Sequence, residues 1–279
     1  MGKFTLIGHP LGHSMSPMIH DALFKLKNRE SSYDLTDIAP ENLSSEEDFL
    51  RGLDGFNITI PHKVAVIDLI DEMADSAKRY SSVNCVNCSD GKLIGYNTDC
   101  DGFLLSVKSQ GMPLDGKVLL IGCGGVGRMI AIETVRHGGD LTIAHIPEAS
   151  ADAQKLCEEI RSTYPDAKLE TVLTSEISGN YDLLVNGSPV GMYPKTDACP
   201  VNDEIIDNCG CVFDVIYNPV ETLLVKKFRS QGKKALGGAA MLVYQAVKAH
   251  EIWDGDLYTD EEVSTIIKAV EDKVCEDFK

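Results

Sequence analysis

The sequence predicts an α/β chain, with strands alternating with helices on open sheets, and two stretches carry that reading. The first is Lys117–Val118–Leu119–Leu120–Ile121, a continuous apolar run of the kind buried on both faces of a parallel sheet. It enters Gly122–Cys123–Gly124–Gly125–Val126–Gly127, then a helix whose apolar face is Ile130, Ile132 and Val135, then a second strand at Leu141–Ala144. The second is Gly55–Phe56–Asn57–Ile58–Thr59–Ile60–Pro61–His62–Lys63, where Phe56, Ile58 and Ile60 alternate with Asn57 and Thr59 as in a half-buried strand. Pro61 cannot donate to a sheet ladder, so the strand stops there and a helix follows, with Val64, Ile67, Leu69 and Ile70 on its buried face.

In chain order, Phe4–Ile7 reads as the first strand and runs into a turn of Gly, Pro and small hydroxyls, Gly8 to Pro17. Pro17 suits the first turn of a helix with Ser16 as its N-cap, and Ile19, Leu23, Phe24 and Leu26 form its apolar face. Ser14 and Ser16 are either caps or hydroxyls that offer, with the helix amides, a seat for a carboxylate. Ser32–Ile38 reads as a strand and Leu43–Leu50 as a helix; helical spacing after Lys63 continues to about Tyr80. Ser82–Asn87 and Leu93–Tyr96 are strands joined by a hairpin through Ser89–Asp90–Gly91–Lys92, which brings Asn84 towards Asp99. Phe103–Val107 begins a linking helix.

Beyond the βαβ unit, Ala153–Arg161 is a helix and Leu169–Val172 a short strand. Tyr181–Asn186 and Val212–Tyr217 are buried strands, Thr222–Phe228 a helix, and Lys234–Leu236 the last strand. Ala239–Ala249 is an apolar helix carrying one polar residue, Gln245, and a final helix spans roughly Glu261–Cys275.

Composition narrows the function. At 279 residues the chain holds one large or two ordinary domains, and 43% hydrophobic with 25% charged residues is the balance of a soluble globular protein. A net charge of −17 argues against nucleic acid and anionic membranes as partners. It leaves room for an anionic small substrate, because distant charges are screened beyond roughly 8 Å. The N-terminus lacks the apolar length of a signal peptide and no run approaches a membrane span. Nine cysteines, an odd number, argue against a secreted disulfide framework, so a cytoplasmic setting is expected. Cys85-x-x-Cys88 and Cys209-x-Cys211 have no further ligand pair at zinc spacing, so no metal is expected.

Two sites of chemistry follow from the pattern. A strand, a glycine turn and a helix cradle a pyrophosphate on the helix N-terminus, which makes Gly122–Gly127 a dinucleotide site. Lys63 and Asp99 each close an apolar strand, where open α/β sheets place ligands. Together they can hold a hydroxyl between a proton acceptor and an orienting carboxylate.

These segments resemble the shikimate dehydrogenase family, which includes quinate/shikimate dehydrogenases. The resemblance runs through eight ordered stretches: Gly8–Pro17, Gly55–Lys63, Val83–Asn84, Gly95–Asp99, Gly122–Gly127, Asn186–Met192, Asp214–Pro219 and Gly238–Gln245. It implies an N-terminal substrate and catalytic domain with a mainly parallel sheet (1–101), a Rossmann NAD(P)-binding domain (102–238), and C-terminal helices packing back on the first domain (239–279). It implies reversible hydride transfer between shikimate and 3-dehydroshikimate, a step of aromatic amino acid biosynthesis, by a monomer or homodimer. The resemblance places the substrate carboxylate at Ser14 and Ser16, and the ring hydroxyls among Thr59, Lys63, Asn84, Asp99 and Gln245, with Tyr217 also at the substrate. Lys63 is then the proton acceptor, with Asp99 and Asn84 beside it. Gly122, Gly124, Gly125, Val126 and Gly127 hold the pyrophosphate, His145 stands at the adenosine ribose, and Val215 and Gly238 lie near the nicotinamide.

Two departures stand out. Cys85 replaces a Thr, a small-for-small change. The family's Asn-Arg-Thr-x-x-Arg after the second Rossmann strand reads His145–Ile146–Pro147–Glu148–Ala149–Ser150, without either arginine that meets the 2′-phosphate of NADP. NADP is the family's usual cofactor, and this loss favours NAD. Serine at both 14 and 16 leans to shikimate over quinate, whose users often carry Thr at the second position. A dinucleotide-binding module without turnover is the alternative from another class, and the joint presence of Lys63, Asp99, Asn84 and Gln245 speaks against it.

Overall fold

The computed structural model describes residues 2–12 and 14–278; Met1, His13 and Lys279 lie outside them. The chain divides into two compact units, Met1–Gly102 with Val243–Val270, and Phe103–Leu242 with Glu271–Lys279.

The first unit is built from β1 (Gly2–Gly8), α1 (Ser16–Leu26), β2 (Ser31–Asp37), α2 (Glu47–Arg51), β3 (Gly55–Ile58), α3 (His62–Ala65), β4 (Glu72–Met73), α4 (Asp75–Tyr80), β5 (Cys85–Ser89), β6 (Lys92–Tyr96) and the start of α5 (Asp99–Ser109). Its six-stranded sheet has the order β2-β1-β3-β5-β6-β4. Only β5 runs against the other strands, because the tight hairpin to β6 reverses the chain through Asp90 and Gly91, at φ 51° and 75°.

Four local expectations need correcting. The strand before Lys63 is buried at all four positions rather than alternating, and β3 is an interior strand between β1 and β5; it ends at Ile58, and Ile60 is 75% exposed. The helix after Pro61 lasts one α-turn and becomes a 3-10 turn at Val66–Leu69, and Ile70 turns extended to let β4 join the sheet edge. The tighter pitch rotates the apolar face, so Val66 is buried and Val64 is 64% exposed. Helix α1 starts at Ser16 with Met15 as its N-cap, and the Met15 side chain makes no capping bond; Leu26 is exposed.

The second unit carries β7 (Lys117–Ile121), α6 (Gly125–Arg136), β8 (Asp140–His145), α7 (Ser150–Thr163), β9 (Leu169–Leu173), β10 (Tyr181–Asn186), α8 (Asp203–Asp207), β11 (Cys209–Asp214), α9 (Leu223–Ser230) and β12 (Lys234–Leu236). All six strands are parallel in the order β12-β11-β10-β7-β8-β9, the doubly wound arrangement whose ligands sit at the carboxyl ends of the strands. The strand expected over Val212–Tyr217 is set earlier, at Cys209–Asp214. The buried Asp214 carboxylate takes the Ile216 amide and turns the chain there. Helix α10 (Ala239–Asp254) and helix α11 (Asp260–Asp277) complete the chain.

Candidate active site

In the first unit, the turn after β3 delivers Lys63 and the first residue of α5 is Asp99. Lys63 Nζ donates to Asp99 Oδ2 at 2.6 Å, and the two side chains are 27% and 19% exposed. Val83 N–H donates to the Lys63 carbonyl at 2.8 Å, which fixes the turn against the segment leading into β5. Asn84 Nδ2 donates to the other oxygen of the same carboxylate at 2.9 Å, while Asn84 Oδ1 accepts from the Thr98 amide at 2.7 Å. Backbone bonds pin Asn84 from both sides, its N–H to Tyr96 O at 3.0 Å and its carbonyl to Ile58 N–H at 2.9 Å. Asn97 Oδ1 takes the Asp99 amide at 3.2 Å and so shapes the start of α5.

Gln245 comes to this cluster from α10, its Oε1 accepting from Thr98 Oγ1 at 3.5 Å. The hairpin thus brings Asn84, Thr98, Asp99, Lys63 and Gln245 into one hydrogen-bonded group. Sequence reasoning misses Thr98, whose residue type is unremarkable; its position beside Asp99 is the available signal. Thr59 follows Ile58 directly and is half-buried. At the start of α1, Ser14 Oγ accepts the Ser16 amide at 3.2 Å, so both serines form one short turn. Ser16 is 8% exposed and stands beside the Tyr33 phenol, whose ionisation burial pushes well up while Ser16 works in the opposite sense.

In the second unit, Gly122 has φ 93° and donates its N–H to Ala144 O at 2.9 Å. A Cβ at Gly127 would collide with the Gly122 carbonyl, so only glycine permits this turn to close against α6. Added Cβ atoms at Gly124 and Gly125 would meet nothing within 4 Å, and both residues are exposed at the helix start. With Val126 in the first turn, the unpaired amides and the helix dipole fit a pyrophosphate there.

His145 ends β8 and is 7% exposed, its Nδ1 lying 3.0 Å from Ile146 O and 3.4 Å from Ser150 Oγ. Val215 follows Asp214, and a Cβ at Gly238 would strike the Val215 carbonyl, so these two residues are neighbours. Asp214 is fully buried; burial raises its pKa to about 6 against the opposing pull of Thr222, Ile216 and Asn186. Burial also pushes the half-buried Tyr217 phenol up. Among the described residues, the group with three ligand atoms in mutual reach of a metal is His250, Asp254 and Asp256, and Arg29 grips Asp256 at 2.7 and 2.8 Å.

A doubly wound sheet with a glycine turn, in one chain with a part-buried amide, carboxylate and lysine cluster, defines a dinucleotide-dependent oxidoreductase architecture. The model of the shikimate dehydrogenase substrate binding domain matches residues 6–86. The shikimate dehydrogenase (NADP(+)) of Shouchella clausii is 38% identical over 261 residues, covering 91% of this chain and 93% of the relative. A crystal structure of shikimate 5-dehydrogenase from Thermus thermophilus, in complex with NADP(H) and shikimate, superposes with a TM-score of 0.85 at 30% identity, covering 97% of this chain and 100% of that one. Shikimate 5-dehydrogenase from Listeria monocytogenes, in complex with shikimate and NAD, superposes with a TM-score of 0.82 at 26% identity, covering 95% and 96%. The chain belongs to the shikimate dehydrogenase family.

Proposed function

We propose that this protein is a shikimate dehydrogenase, interconverting shikimate and 3-dehydroshikimate with a nicotinamide dinucleotide. The observation that carries the reading is the Lys63–Asp99–Asn84 cluster, assembled in the unit that matches the substrate-binding model. The first unit takes the substrate. The second, through Gly122, Gly124, Gly125, Val126 and Gly127, takes the dinucleotide pyrophosphate, with Val215 and Gly238 at the nicotinamide end.

Ser14 and Ser16 would bind the substrate carboxylate, and Thr59, Asn84, Asp99 and Gln245 would fix the ring hydroxyls. Fixing several hydroxyls at once presents one carbon for reaction, and a substrate lacking one would strand a buried polar group. The bound nicotinamide supplies the hydride acceptor or donor. Lys63 takes the hydroxyl proton during oxidation and returns it to the carbonyl oxygen during reduction, while Asp99 holds the amine in line. Asn84 in turn holds Asp99.

The finer choice of cofactor turns on the end of β8. The name of the Shouchella relative carries NADP(+), which lends NAD no support. This chain's own turn, His145 to Ser150, holds a carboxylate and no cation, which supports use of NAD at least as well as NADP. A cytoplasmic setting is part of the same reading. Purified protein is to be offered shikimate and quinate, each with NAD and NADP, while reduced nicotinamide is followed optically. Turnover of shikimate is expected; none with either cofactor would end the proposal.

A further inference from the structure

Tyr33 is the one buried residue of the strand Ser31–Asp37, at 5% exposed. Its hydroxyl donates to Asn57 Oδ1 at 2.8 Å. That bond fixes which way the Asn57 amide points, because Asn57 Nδ2 donates in the opposite direction to the Asn84 carbonyl at 3.1 Å. Asn57 is 4% exposed in the middle of the sheet, where an unpaired amide is costly, so both bonds matter to its orientation. From Asn84 the series continues through Nδ2 to Asp99 Oδ1 at 2.9 Å, and from Asp99 Oδ2 to Lys63 Nζ at 2.6 Å. Tyr33, Asn57, Asn84, Asp99 and Lys63 are therefore linked end to end.

Tyr33 is itself held in place. The His20 ring lies flat against it, with centroids 3.9 Å apart and planes 6° from parallel. His20 Nδ1 sits 3.0 Å from His250 Nε2, and His250 Nδ1 sits 3.1 Å from the Tyr258 hydroxyl, which donates to Leu23 O at 3.2 Å. Since the Tyr258 proton goes to Leu23, His250 Nδ1–H donates to Tyr258, and His20 Nδ1–H donates to His250 Nε2. This directed series ties α10 to α1 and places an uncharged ring behind the phenol. It also leaves His20 Nε2 buried without a hydrogen-bond partner among the described residues, so the ring is oriented by stacking on Tyr33 and by one bond.

We propose that Tyr33 is a positioning residue for the Lys63–Asp99 pair, acting through Asn57 and Asn84; this rests on the reading of that pair as acid–base machinery. Removing the hydroxyl leaves Asn57 Oδ1 without its donor, so the amide turns to find another and gives up Asn84. The strand pairing survives, because the Asn84 carbonyl keeps its bond from Ile58 N–H. What loosens is one of the two bonds on the Asn84 carbonyl, and with it the backbone from which the Asn84 side chain reaches Asp99. The effect therefore falls mainly on turnover, with dinucleotide binding left in place and substrate binding touched only through Ser16.

Tyr33→Phe and Asn57→Ala are to be compared with the wild type and with the double variant. For Tyr33→Phe the expected result is a kcat for shikimate lower by about tenfold, the equivalent of one hydrogen bond. KM should change less than kcat, since Ser16 loses the Tyr33 hydroxyl while Ser14 keeps its bond from the Ser16 amide, and the dinucleotide Kd should be unchanged. The double variant should lose no more than Asn57→Ala alone, because both changes break one series. Unchanged kcat in Tyr33→Phe, or losses that multiply in the double variant, would overturn the proposal. If Tyr33→Phe does not fold, Asn57→Ala is judged by the same kcat and KM readouts.

A second readout needs no turnover: the rate at which an amine-acylating reagent labels Lys63 at fixed pH, followed by peptide mass spectrometry. Labelling should be about twofold faster in Tyr33→Phe, the size of a modest loss of pairing. If the wild type does not oxidise shikimate, the reaction assignment fails and this labelling still decides: a faster rate upholds the positioning role, an equal rate ends it.

Discussion

Lys63 Nζ and Asp99 Oδ2 are 2.6 Å apart although 36 residues separate them in the chain. The pair exists because β3 and β6 end on the same side of the sheet with β5 between them, so the helix starts that follow meet. One Asp99 oxygen serves Lys63 and the other serves Asn84. An amine held this way gives one of its three directions to Asp99 and keeps the others to exchange a proton with a substrate oxygen.

Lys63→Ala is expected to lower kcat for shikimate by roughly 10²–10⁴, the usual size of a lost acid–base contribution. The protein should stay folded, since Lys63 is joined to the rest by its backbone carbonyl as well as its amine. Asp99→Asn should also cost turnover heavily, because an amide turned towards Lys63 presents either a donor to a donor or a weaker acceptor. Steady-state kinetics with circular dichroism on the same samples decides it; near wild-type kcat in Lys63→Ala would remove lysine as the proton acceptor.

The two serines should behave unequally. Ser14 Oγ accepts the Ser16 amide and keeps its own proton to donate, whereas the Ser16 hydroxyl is engaged beside Tyr33. Ser14→Ala should raise KM for shikimate by more than Ser16→Ala, with about 1–3 kcal/mol for the stronger loss, as for a hydrogen bond to a charged group. Carboxylate contacts persist from ground state to transition state, so kcat should hold. A substrate analogue without the carboxylate should be indifferent to both changes; equal sensitivity would make these serines structural.

How far the sequence reveals this site depends on what kind of signal each residue leaves. Lys63, Asp99 and Asn84 are legible because each ends or flanks an apolar run, and a parallel sheet gathers such ends. The glycine turn is legible because Gly122 and Gly127 meet backbone that no side chain could approach. Tyr33 and Asn57 leave no signal, because an aromatic in a polar strand and an Asn in an apolar one look like ordinary alternation. Their partner lies across β1, in a register that only the folded sheet provides. Ser16 reads wrongly as a cap for a related reason: Pro17 fits either of the first helical positions, and the helix begins one residue earlier than Pro17 suggests.

Stability should fall in mild acid, and the buried imidazoles are a cause. Burial lowers the His20 pKa well below 6.5 and that of His250 to about 3. Above pH 6.5 both are neutral in folded and unfolded chains, so they contribute no pH dependence. Below it the unfolded chain takes up protons that the folded one refuses. Stability is lost as pH falls from about 6.5 towards 3, at about 1.4 kcal/mol per pH unit per histidine. Asp214 acts in the opposite sense: its folded pKa of about 6 stands above 3.8, so its contribution is fully present below 3.8 and is lost as pH rises through 6. Denaturant melts between pH 4 and 7 (about 0.5-unit steps) should show His250→Asn flattening the acid slope and Asp214→Asn steepening it. Identical slopes in wild type and His250→Asn would remove the imidazoles as the cause.

The last expectation concerns the ribose end of the dinucleotide. Strand β8 delivers His145, whose ring is already engaged with Ile146 O and Ser150 Oγ, and the turn continues Ile146–Pro147–Glu148–Ala149–Ser150. Arg128, on the neighbouring α6, spends its guanidinium on Glu159, with Nε to Oε2 at 3.0 Å. A 2′-phosphate thus loses the bidentate arginine contact that is among the stronger charge-assisted pairs, and Glu148 adds a like charge nearby. An NAD ribose needs only hydroxyl partners, which Ser150 and the Glu148 carboxylate provide in kind. NAD is therefore expected to be used at least as well as NADP, against the NADP(+) in the name of the Shouchella relative. The measurement is kcat/KM for each cofactor at saturating shikimate, in wild type and Glu148→Arg. The arginine should move the ratio towards NADP by about tenfold, or ~1.4 kcal/mol. A wild-type preference for NADP above about tenfold would show that a cation from elsewhere in the chain reaches the phosphate, and that the turn does not set the choice.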